Sequence, residues 1–392
     1  MDNQDIGPTL RALRDLAPSD ITDTLARLAR TLGTYDITVY LIDFEQSTLV
    51  PVPDRSAHVD SPIALTTQGS TEGSAFVSRR IASESQHDIT RVCVPILEGS
   101  DYTGVLAFTI RGGLDDEKAA RCEELGMLTG ATIAVAARYT DLFNLVRRRK
   151  AMTLQASIQW DLLPPLRLKT PEAVSMGVLE PAYDVGGDFF DHAVNGFALD
   201  LAVMDSMGHG LASSVVSSLA VGVYRHDRRE GQLISAIHRH LDQVLGEQFG
   251  GERFVTGQLA QLDLQTGHLT WTNAGHPRPL HVRRGVVIDS LPCRPSLPWG
   301  LGGHNVEVAE LALQPGDSVV FYTDGVVEGR LQTSEPFGLD RFVDLIERSI
   351  AASTPTDVIL RSAVNTILDY QDRRLRDDAT ILWATWLPQS AA

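Results

Sequence analysis

The chain has 392 residues, of which 43% are hydrophobic and 21% are charged, and its formal net charge at pH 7 is −16. This length and composition favour two or three globular domains, each able to bury its own core, over extensive disorder. The negative charge argues against nucleic acid or an anionic membrane surface as the main partner, although a bound divalent cation reverses the sign locally at a site.

The cysteines and the N-terminus indicate the compartment. Cys93, Cys122 and Cys293 are an odd, widely spaced set without a CxxC pair, which is typical of a reducing environment without disulfides or a thiolate zinc site. The first residues, MDNQDIGPTLRALRDL, are acidic and amphipathic and lack the apolar core of a signal peptide. No run approaches the roughly 18 apolar residues of a membrane span. We therefore expect a cytoplasmic protein with no membrane or nucleic-acid partner.

The first predicted domain covers residues 1–140. Apolar residues at three- and four-residue intervals over residues 1–32 predict two helices, divided at residues 18–20. Two strand-like runs, ITVYLIDF and TLVPV, come next, followed by a loop over residues 53–74 that is rich in Ser, Thr, Pro and Gly. The strands TRVCVPIL and YTGVLAFTI flank a turn at residues 98–101, as in a β-hairpin.

A helical pattern begins at about Asp115, and a looser stripe continues it to Pro164-Pro165. This stretch either packs against its own domain or forms a dimeric coiled coil that links two domains through residues 141–165. We favour the coiled coil, and with it a homodimer. The heptad seam begins near residue 125 and consists of Leu125, Leu128, Thr132, Val135, Tyr139, Leu142 and Val146.

The second predicted domain covers residues 166–392. Its strands are joined mostly by hairpin turns such as QTGH and RRG, and its helices come in pairs, which predicts an α+β fold with antiparallel sheets rather than a doubly wound parallel sheet. Strands are predicted at 174–180, 187–192, 197–205, 255–264, 268–273, 278–288, 305–311, 316–323 and 379–387, and helices at 210–228, 231–248, 339–352 and 355–371.

Acidic residues stand at several strand ends of this domain, most of them close to glycine. Asp188 follows a Gly-Gly pair, Asp205 ends an apolar run, Asp324 precedes Gly325, and Asp377 stands just before the strand ATILWATW. A single such acid is more often a solvated or capping turn residue than a ligand. Together they form an all-oxygen set that suits Mg²⁺ or Mn²⁺. A central carboxylate could bridge two ions about 3.5–4 Å apart, as in enzymes that hydrolyse phosphate esters.

Five motifs carry a family resemblance: VGGDFFD, VMDSMGHG, NAGHPRP, FYTDGVVE and RDDAT. They occur in the order seen in the SpoIIE-like serine/threonine phosphatases, the bacterial branch of the metal-dependent (type 2C, PPM) protein phosphatases. The likeness runs from about residue 155 to about residue 387. It implies an αββα sandwich, in which helices flank two antiparallel sheets and two Mn²⁺ or Mg²⁺ ions activate a bridging water.

The resemblance also implies roles for individual residues. Asp205 corresponds to the bridging ligand, and the residue after it, Ser206, to a ligand through its backbone carbonyl. Asp378 is the less favoured ligand of the final acidic pair. The remaining metal ligands by motif, which with Asp205 form the catalytic set, are Asp188, Asp324 and Asp377.

Two histidines beside glycines invite a catalytic interpretation. His209 could orient solvent near the metals, but packing or capping of its turn is an equal alternative. His276, in NAGHPRP, is interpreted as a loop-shaping residue near the mouth of the site.

The first domain resembles a GAF sensor domain over about residues 18–140. The resemblance rests on VCVPILEGSDYTGVLAFTI followed by EKAARCEELGMLTGATIAVAA, a strand-turn-strand and a closing helix. No cofactor-ligating pattern accompanies it, and we interpret Cys93 as a core residue.

The resemblances imply a cytoplasmic phosphoserine/phosphothreonine phosphatase that the GAF-like domain regulates. The implied substrate is a phosphorylated protein such as an anti-sigma-factor antagonist. One alternative is a non-catalytic binding module with a vestigial metal site, against which the presence of all four acids argues. Another is a two-metal phosphoesterase for small molecules, which a deep pocket would support.

Overall fold

The structure is a computed structural model, and it describes residues 20–29, 33–53, 63–184, 186–208, 210–303, 305–329, 335–372, 375 and 377–388. It divides into two compact units, Met1–Ala151 and Met152–Ala392. The helix predicted before residue 18 lies outside the described residues. Within the described part of the chain, no helix is both long and apolar enough to cross a membrane.

The first unit is built on one six-stranded antiparallel sheet of order β3-β2-β1-β6-β5-β4. The predicted hairpin is β5–β6. The elements are α1 (Ile21–Ala29), β1 (Tyr35–Ile42), β2 (Thr48–Pro51), β3 (Leu65–Thr66), α2 (Thr71–Ser78), β4 (Ala82–Gln86), β5 (Ile89–Glu98), β6 (Asp101–Arg111), α3 (Asp116–Ala136) and α4 (Leu142–Arg147).

Both faces of this sheet are covered by helices. Alternate residues of β5 serve the two faces: Val92 and Val94 pack with α1, α3 and α4, whereas Cys93 packs with Phe76 of α2. Cys93 is fully buried, as expected for a core residue, and all three cysteines are buried free thiols. A side chain on α3 at Gly130 would clash, because its Cβ would lie 1.8 Å from the carbonyl oxygen of Leu97, so α3 lies directly against β5.

The prediction of one long coiled-coil helix is wrong. Helix α3 ends at Ala136, α4 covers only Leu142–Arg147, and α5 begins after an intervening non-helical stretch. The seam instead serves the core of the first unit, where Leu125 is buried and Leu142 and Val146 pack. Seam positions Val135 and Tyr139 remain 63% and 83% exposed. The homodimer stays a prediction, but this seam no longer supplies a reason for it.

The second unit contains two antiparallel sheets, β15-β12-β11-β10-β9 and β14-β13-β16-β17-β8-β7. Its elements are α5 (Leu154–Leu162), β7 (Arg167–Lys169), β8 (Ala173–Glu180), β9 (Asp188–Asn195), β10 (Ala198–Ser206), α6 (Leu211–Arg229), α7 (Ile234–Phe249), β11 (Val255–Asp263), β12 (His268–Ala274), β13 (Leu280–Arg283), β14 (Val286–Ser290), β15 (Ala309–Ala312), β16 (Ser318–Tyr322), α8 (Gly325–Glu328), α9 (Leu339–Ala351), α10 (Thr356–Tyr370) and β17 (Ala379–Trp386).

Four layers result from the alternation of side chains along these strands. Phe190 and Val203 point inward and meet Phe321 and Leu382 of the other sheet. Their sequence neighbours point outward, towards α6 and α7 on one side and towards α9 and α10 on the other. The predicted α+β fold with antiparallel sheets and paired helices is confirmed. The RRG turn divides the predicted strand 278–288 into β13 and β14, while β7 and the short α8 were not predicted.

Phe190→Ala tests this inter-sheet core. Phe190 is fully buried, and its truncation should lower the free energy of unfolding by about 3–5 kcal/mol, because the two sheets cannot collapse into the cavity. All five tryptophans lie in the second unit, so tryptophan fluorescence during urea denaturation reports its unfolding. Phe197→Ala is the matched control: Phe197 is 60% exposed, and we expect a change within about 0.5 kcal/mol. Equal losses in the two variants would contradict the assignment of the core.

Candidate metal centre

Two of the predicted site residues face each other on the first sheet of the second unit. Asp188 begins β9 and pairs directly with Asp205, next to the end of β10. Directly opposed residues share one face of a sheet, and here it is the face of Phe190 and Val203, between the sheets. Asp188 is 2% exposed. Like charges in this position repel each other, so the fold holds the pair in place against an electrostatic cost.

The other two acids come from adjoining ends of the second sheet. Asp324 follows β16 and Asp377 precedes β17, and these neighbouring strands are antiparallel, so the end of one lies beside the start of the other. Gly325 makes the approach possible, because a Cβ there would lie 2.0 Å from the carbonyl oxygen of Asp378. Partial burial and the charge of Asp324 raise the pKa of the Asp377 carboxyl to about 6.

Hydrogen bonds fasten the two sets of acids together. The Thr323 hydroxyl donates to Asp188 Oδ2 at 2.6 Å and accepts from the Thr380 N–H at 3.0 Å. Asp378 reaches across to the loop before β9, where its Oδ2 accepts the backbone N–H groups of Gly186, Gly187 and Asp188 at 2.7, 2.7 and 3.2 Å. The start of β17 and the start of β9 are thereby held at one place.

The negative charges of these carboxylates repel one another and shift their pKa values. Burial, followed by the charges of Asp324, Asp377 and Asp378, raises the pKa of the Asp205 carboxyl to about 7. Burial and the charges of Asp205 and Asp378 hold the pKa of Asp188 well above its usual range, against the hydrogen bond from Thr323. No salt bridge between described residues includes these acids. A cluster of oxygen donors without a protein cation fits a hard divalent ion.

The acids do not meet at a single point in the structure. Among the residues that the structure describes, no group of three or more His, Cys, Asp or Glu side chains is close enough together to hold an ion. The acids therefore surround a shared region without converging on one point. The metal-ligand set of the sequence analysis remains a proposal.

Ser206, the predicted backbone ligand, has its hydroxyl in use elsewhere. Its Oγ lies 3.0 Å from the Ser213 carbonyl oxygen and accepts from the Ser217 hydroxyl at 2.8 Å. Gly187 packs against it so closely that a Cβ would lie 2.6 Å from Ser206 Oγ. The side chain is thus structural, and only the carbonyl oxygen is a candidate donor, as the resemblance implies.

The final acidic pair divides into two different roles. Asp378 is 6% exposed, and its carboxylate holds the backbone of the loop before β9. The side chain of Asp377 is less buried than that of Asp378, accepts the N–H of Asp378 at 3.0 Å, and is acted on by the charge of Asp324. This arrangement supports the choice of Asp377 as the ligand. The loop-holding role of Asp378 was missed, because no local pattern shows that residue 378 reaches residues 186–188.

Helix α5 adds two residues that the sequence analysis did not single out. The Gln159 side-chain amide donates to the backbone carbonyl of Asp188, and the Trp160 indole donates to the carbonyl of Ala182 at 2.7 Å. The segment that leads into Asp188 is therefore fixed from α5 as well as from Asp378. The motif IQWDLLPP carried the only sequence signal for these contacts.

The histidines are placed as follows. His276 is 6% exposed, and its backbone N–H donates to Asn273 Oδ1 at 2.8 Å. Its ring Nδ1 lies 3.0 Å from the hydroxyl oxygen of Thr256. Thr256 pairs with Asp205 across β10 and β11. Burial lowers the pKa of His276 to about 3, so this ring is neutral and shapes the loop beside the site. His209 lies outside the described residues.

Comparisons with known proteins identify a matching family model and several relatives of this chain. Residues 195–387 match the family model described as Stage II sporulation protein E (SpoIIE), a span that includes Asp205, Asp324 and Asp377 and begins after Asp188. Protein IcfG of Synechocystis sp. (strain ATCC 27184 / PCC 6803 / Kazusa) is 24% identical over 315 residues, which are 70% of this chain and 49% of IcfG. The chain thus spans about half the length of that relative.

Two further likenesses each cover more than half of the chain. Phosphoserine phosphatase RsbU of Bacillus subtilis (strain 168) is 23% identical over 239 residues, which are 60% of this chain and 69% of RsbU. The SiaA-PP2C domain of Pseudomonas aeruginosa is similar in structure, with a TM-score of 0.50 and 23% identity over 58% of this chain and 92% of that domain. The structural likeness establishes the fold.

The two acids of the final pair should differ in their effect on stability. Asp378→Ala leaves three backbone N–H groups without their acceptor, and we expect the free energy of unfolding to fall by about 1–3 kcal/mol. Asp377→Ala removes a repelled charge and should cause no loss. Urea denaturation followed by tryptophan fluorescence without divalent ions measures both. A larger loss in the Asp377 variant would reverse the two roles.

The raised pKa of Asp205 predicts a dependence of stability on pH. The Asp205 carboxyl has a pKa of about 7 in the folded protein and an ordinary value of 3.8. Its contribution to stability is complete below pH 3.8 and is lost as the pH rises through 7. Without divalent ions, Asp205→Asn should therefore gain stability relative to the parent as the pH rises from 4.5 to 7.5. The buried histidines have lowered pKa values, which change stability with pH in the opposite sense. They are the same in the parent and in Asp205→Asn, so their contribution cancels in the difference between the two proteins.

Manganese should reverse that difference. Mn²⁺ binds the ionised carboxylates of the folded state, so at pH 7.5 it should raise the melting temperature of the parent more than that of Asp205→Asn. Differential scanning calorimetry over a Mn²⁺ series measures the shift. An equal shift in both proteins would contradict a role for Asp205 in holding the ion.

Proposed function

We propose that this chain is a metal-dependent protein serine/threonine phosphatase, because residues 195–387 match the family model described as Stage II sporulation protein E (SpoIIE). The observation that carries the proposal is the group of carboxylates at strand ends of two facing sheets, where burial and neighbouring charges raise the pKa values of Asp188, Asp205 and Asp377. By contrast, the buried Asp317 carboxylate is paired with a cation, Arg283, and with His281.

The proposed ligands are the side chains of Asp188, Asp205, Asp324 and Asp377 and the carbonyl oxygen of Ser206. Asp205, which interacts with acids of the opposite sheet, is the proposed bridge between two Mn²⁺ or Mg²⁺ ions. When bound, the ions would neutralise phosphoryl charge and supply a water nucleophile at neutral pH. Carboxylate donors select such hard ions over zinc, which prefers sulfur and nitrogen.

The surrounding residues orient these ligands. Thr323 fixes one oxygen of Asp188 by donating to it. Asp378 accepts the backbone N–H of Asp188 and Gln159 donates to its backbone carbonyl, so the Asp188 residue is held on both sides of its Cα. Such partners of metal ligands commonly affect metal affinity or activity about 10–100-fold. The chain thus fixes its ligands before an ion binds.

The proposed substrate is a phosphoserine or phosphothreonine protein, such as an anti-sigma-factor antagonist. The likeness to a phosphoserine phosphatase, RsbU, supports phosphoserine, and the open cleft beside the site supports a protein over a small molecule. A vestigial site is disfavoured because all four acids are present, at strand ends that pair or adjoin within each sheet. Three buried free cysteines fit action in the reducing cytoplasm.

We extend the proposal to regulation by the first unit as a GAF-like sensor domain. The six-stranded sheet of the first unit, which helices cover on both faces, supports this assignment. Helix α5 is the element through which a signal would reach the site. Helix α5 is the first helix of the second unit, contacts the Asp188 loop through Gln159 and Trp160, and accepts a hydrogen bond from Arg225 of α6 at the Leu162 carbonyl. A displacement of α5 would reach a proposed ligand directly.

Activity should require divalent metal and Asp205. The parent should hydrolyse a phosphoserine peptide with Mn²⁺ and lose the activity in excess EDTA. Asp205→Ala should lower kcat by on the order of 100-fold or more, since partners one step removed from a metal already cost about 10–100-fold. Release of inorganic phosphate measures both effects. Asp289→Ala, an exposed acid on β14, is the control and should retain parental turnover; activity unaffected by EDTA would refute the metal assignment.

A further inference from the structure

An open cleft of about 670 Å³ lies beside the carboxylate cluster in the second unit. Its walls are the first turns of α6, the C-terminal end of α7 and the loop that leads into β11. Leu211, Val215 and Phe249 supply apolar surface, and Glu252 and Arg253 supply charge. None of these residues belongs to the proposed metal-ligand set.

The cleft adjoins the segment that follows Asp205. Arg253 Nη1 is 3.4 Å from the position that a Cβ on Gly208 would occupy, and the N–H of Met207 donates to the carbonyl of Phe254 at 3.0 Å. Gly208 is three residues from Asp205, so their Cα atoms are at most about 11 Å apart. A phosphorylated side chain at the carboxylate cluster would therefore bring its neighbouring residues to this cleft.

Arg253 is the cation at the boundary between cleft and site. It is half-buried and makes no hydrogen bond or salt bridge with another described residue. Glu252, its neighbour in the chain, is exposed and is not paired with it. A guanidinium binds phosphate oxygens in a bidentate, charge-assisted geometry. In a chain with a net charge of −16 and an acidic site, such a cation offsets repulsion of an incoming phosphate dianion.

The apolar part of the cleft matches a different portion of a ligand. Leu211 is 47% exposed, Val215 is 49% exposed, and Met207, on the approach from β10, is 42% exposed. Exposed apolar side chains grouped beside a polar site are typical of a binding surface. An apolar side chain next to a phosphorylated residue would cover them.

We propose that this cleft docks the phosphoprotein substrate, with Arg253 binding the phosphoryl group and Leu211 and Val215 receiving an apolar side chain adjacent to it. The inference rests on the proposed phosphatase function and adds a substrate preference to it. Substrates with a leucine beside the phosphoserine are preferred to those with a polar residue there.

The test uses the full chain with Mn²⁺ and three probes: two phosphoserine heptapeptides that differ only in leucine or glutamine next to the phosphoserine, and p-nitrophenyl phosphate. The parent should show about tenfold higher kcat/KM for the leucine peptide, as burial of one apolar side chain gives. Leu211→Gln combined with Val215→Gln should remove this preference. Val286→Gln combined with Ile288→Gln is the matched control, since these β14 side chains are 51% and 49% exposed, and it should keep the preference.

Arg253 is tested separately. Arg253→Ala should raise KM for all three probes about tenfold, and Arg253→Lys should recover part of the loss, which a purely structural arginine would not show. Unchanged KM in Arg253→Ala, or an unchanged peptide preference in the Leu211/Val215 variant, overturns the proposal. So does a Leu211/Val215 variant that changes only the elution volume on gel filtration, because the cleft then binds a second copy of the chain.

The outcome for the parent separates this inference from the proposed function. A parent that hydrolyses none of the probes with Mn²⁺ contradicts the phosphatase function. The docking surface is then decided by fluorescence anisotropy with the same two peptides, labelled. Tighter binding of the leucine peptide that is lost in the Leu211/Val215 variant supports the cleft, and equal binding of the two peptides overturns it.

Discussion

The second unit is organised around a group of carboxylates that repel one another and are nevertheless held together. Asp188 and Asp205 are opposed on one sheet, and Asp324 and Asp377 stand at adjoining strand ends of the other. Burial and mutual charge raise the pKa values of three of them. The cost of this arrangement has to be offset by the rest of the fold, and the hydrogen bonds and glycines around the cluster are explained by that need.

The Asp378 carboxylate makes three of the hydrogen bonds that hold the cluster together. It accepts three backbone N–H groups from the loop before β9, while Thr323 and Gln159 secure Asp188 through its side chain and its carbonyl. The inter-sheet core of Phe190, Phe321 and Leu382 lies directly behind these contacts. The site is therefore attached to the buried core between the two sheets, which suits ligands that must keep their positions when no ion is bound.

The same end of the unit also contains features that the carboxylates do not need. The cleft beside Gly208 combines apolar surface with an arginine that has no partner among the described residues. Helix α5, the first helix of the second unit, contacts the Asp188 loop. One of these features is suited to recognising a substrate and the other to transmitting a signal, and both contact segments that carry proposed ligands.

The sequence alone determined the order and type of most elements of the second unit, because strand alternation, hairpin glycines and paired helical patterns are local signals. It also identified Asp188, Asp205, Asp324 and Asp377 as candidates, since each stands at a strand end. The tertiary structure decided what local patterns cannot contain: Asp378 holds a loop 190 residues away in the chain, Thr323 binds Asp188, and the heptad seam packs into its own domain. An apolar heptad repeat specifies a buried face but not its partner, and the close packing of α3 on β5 supplied that partner within the first unit.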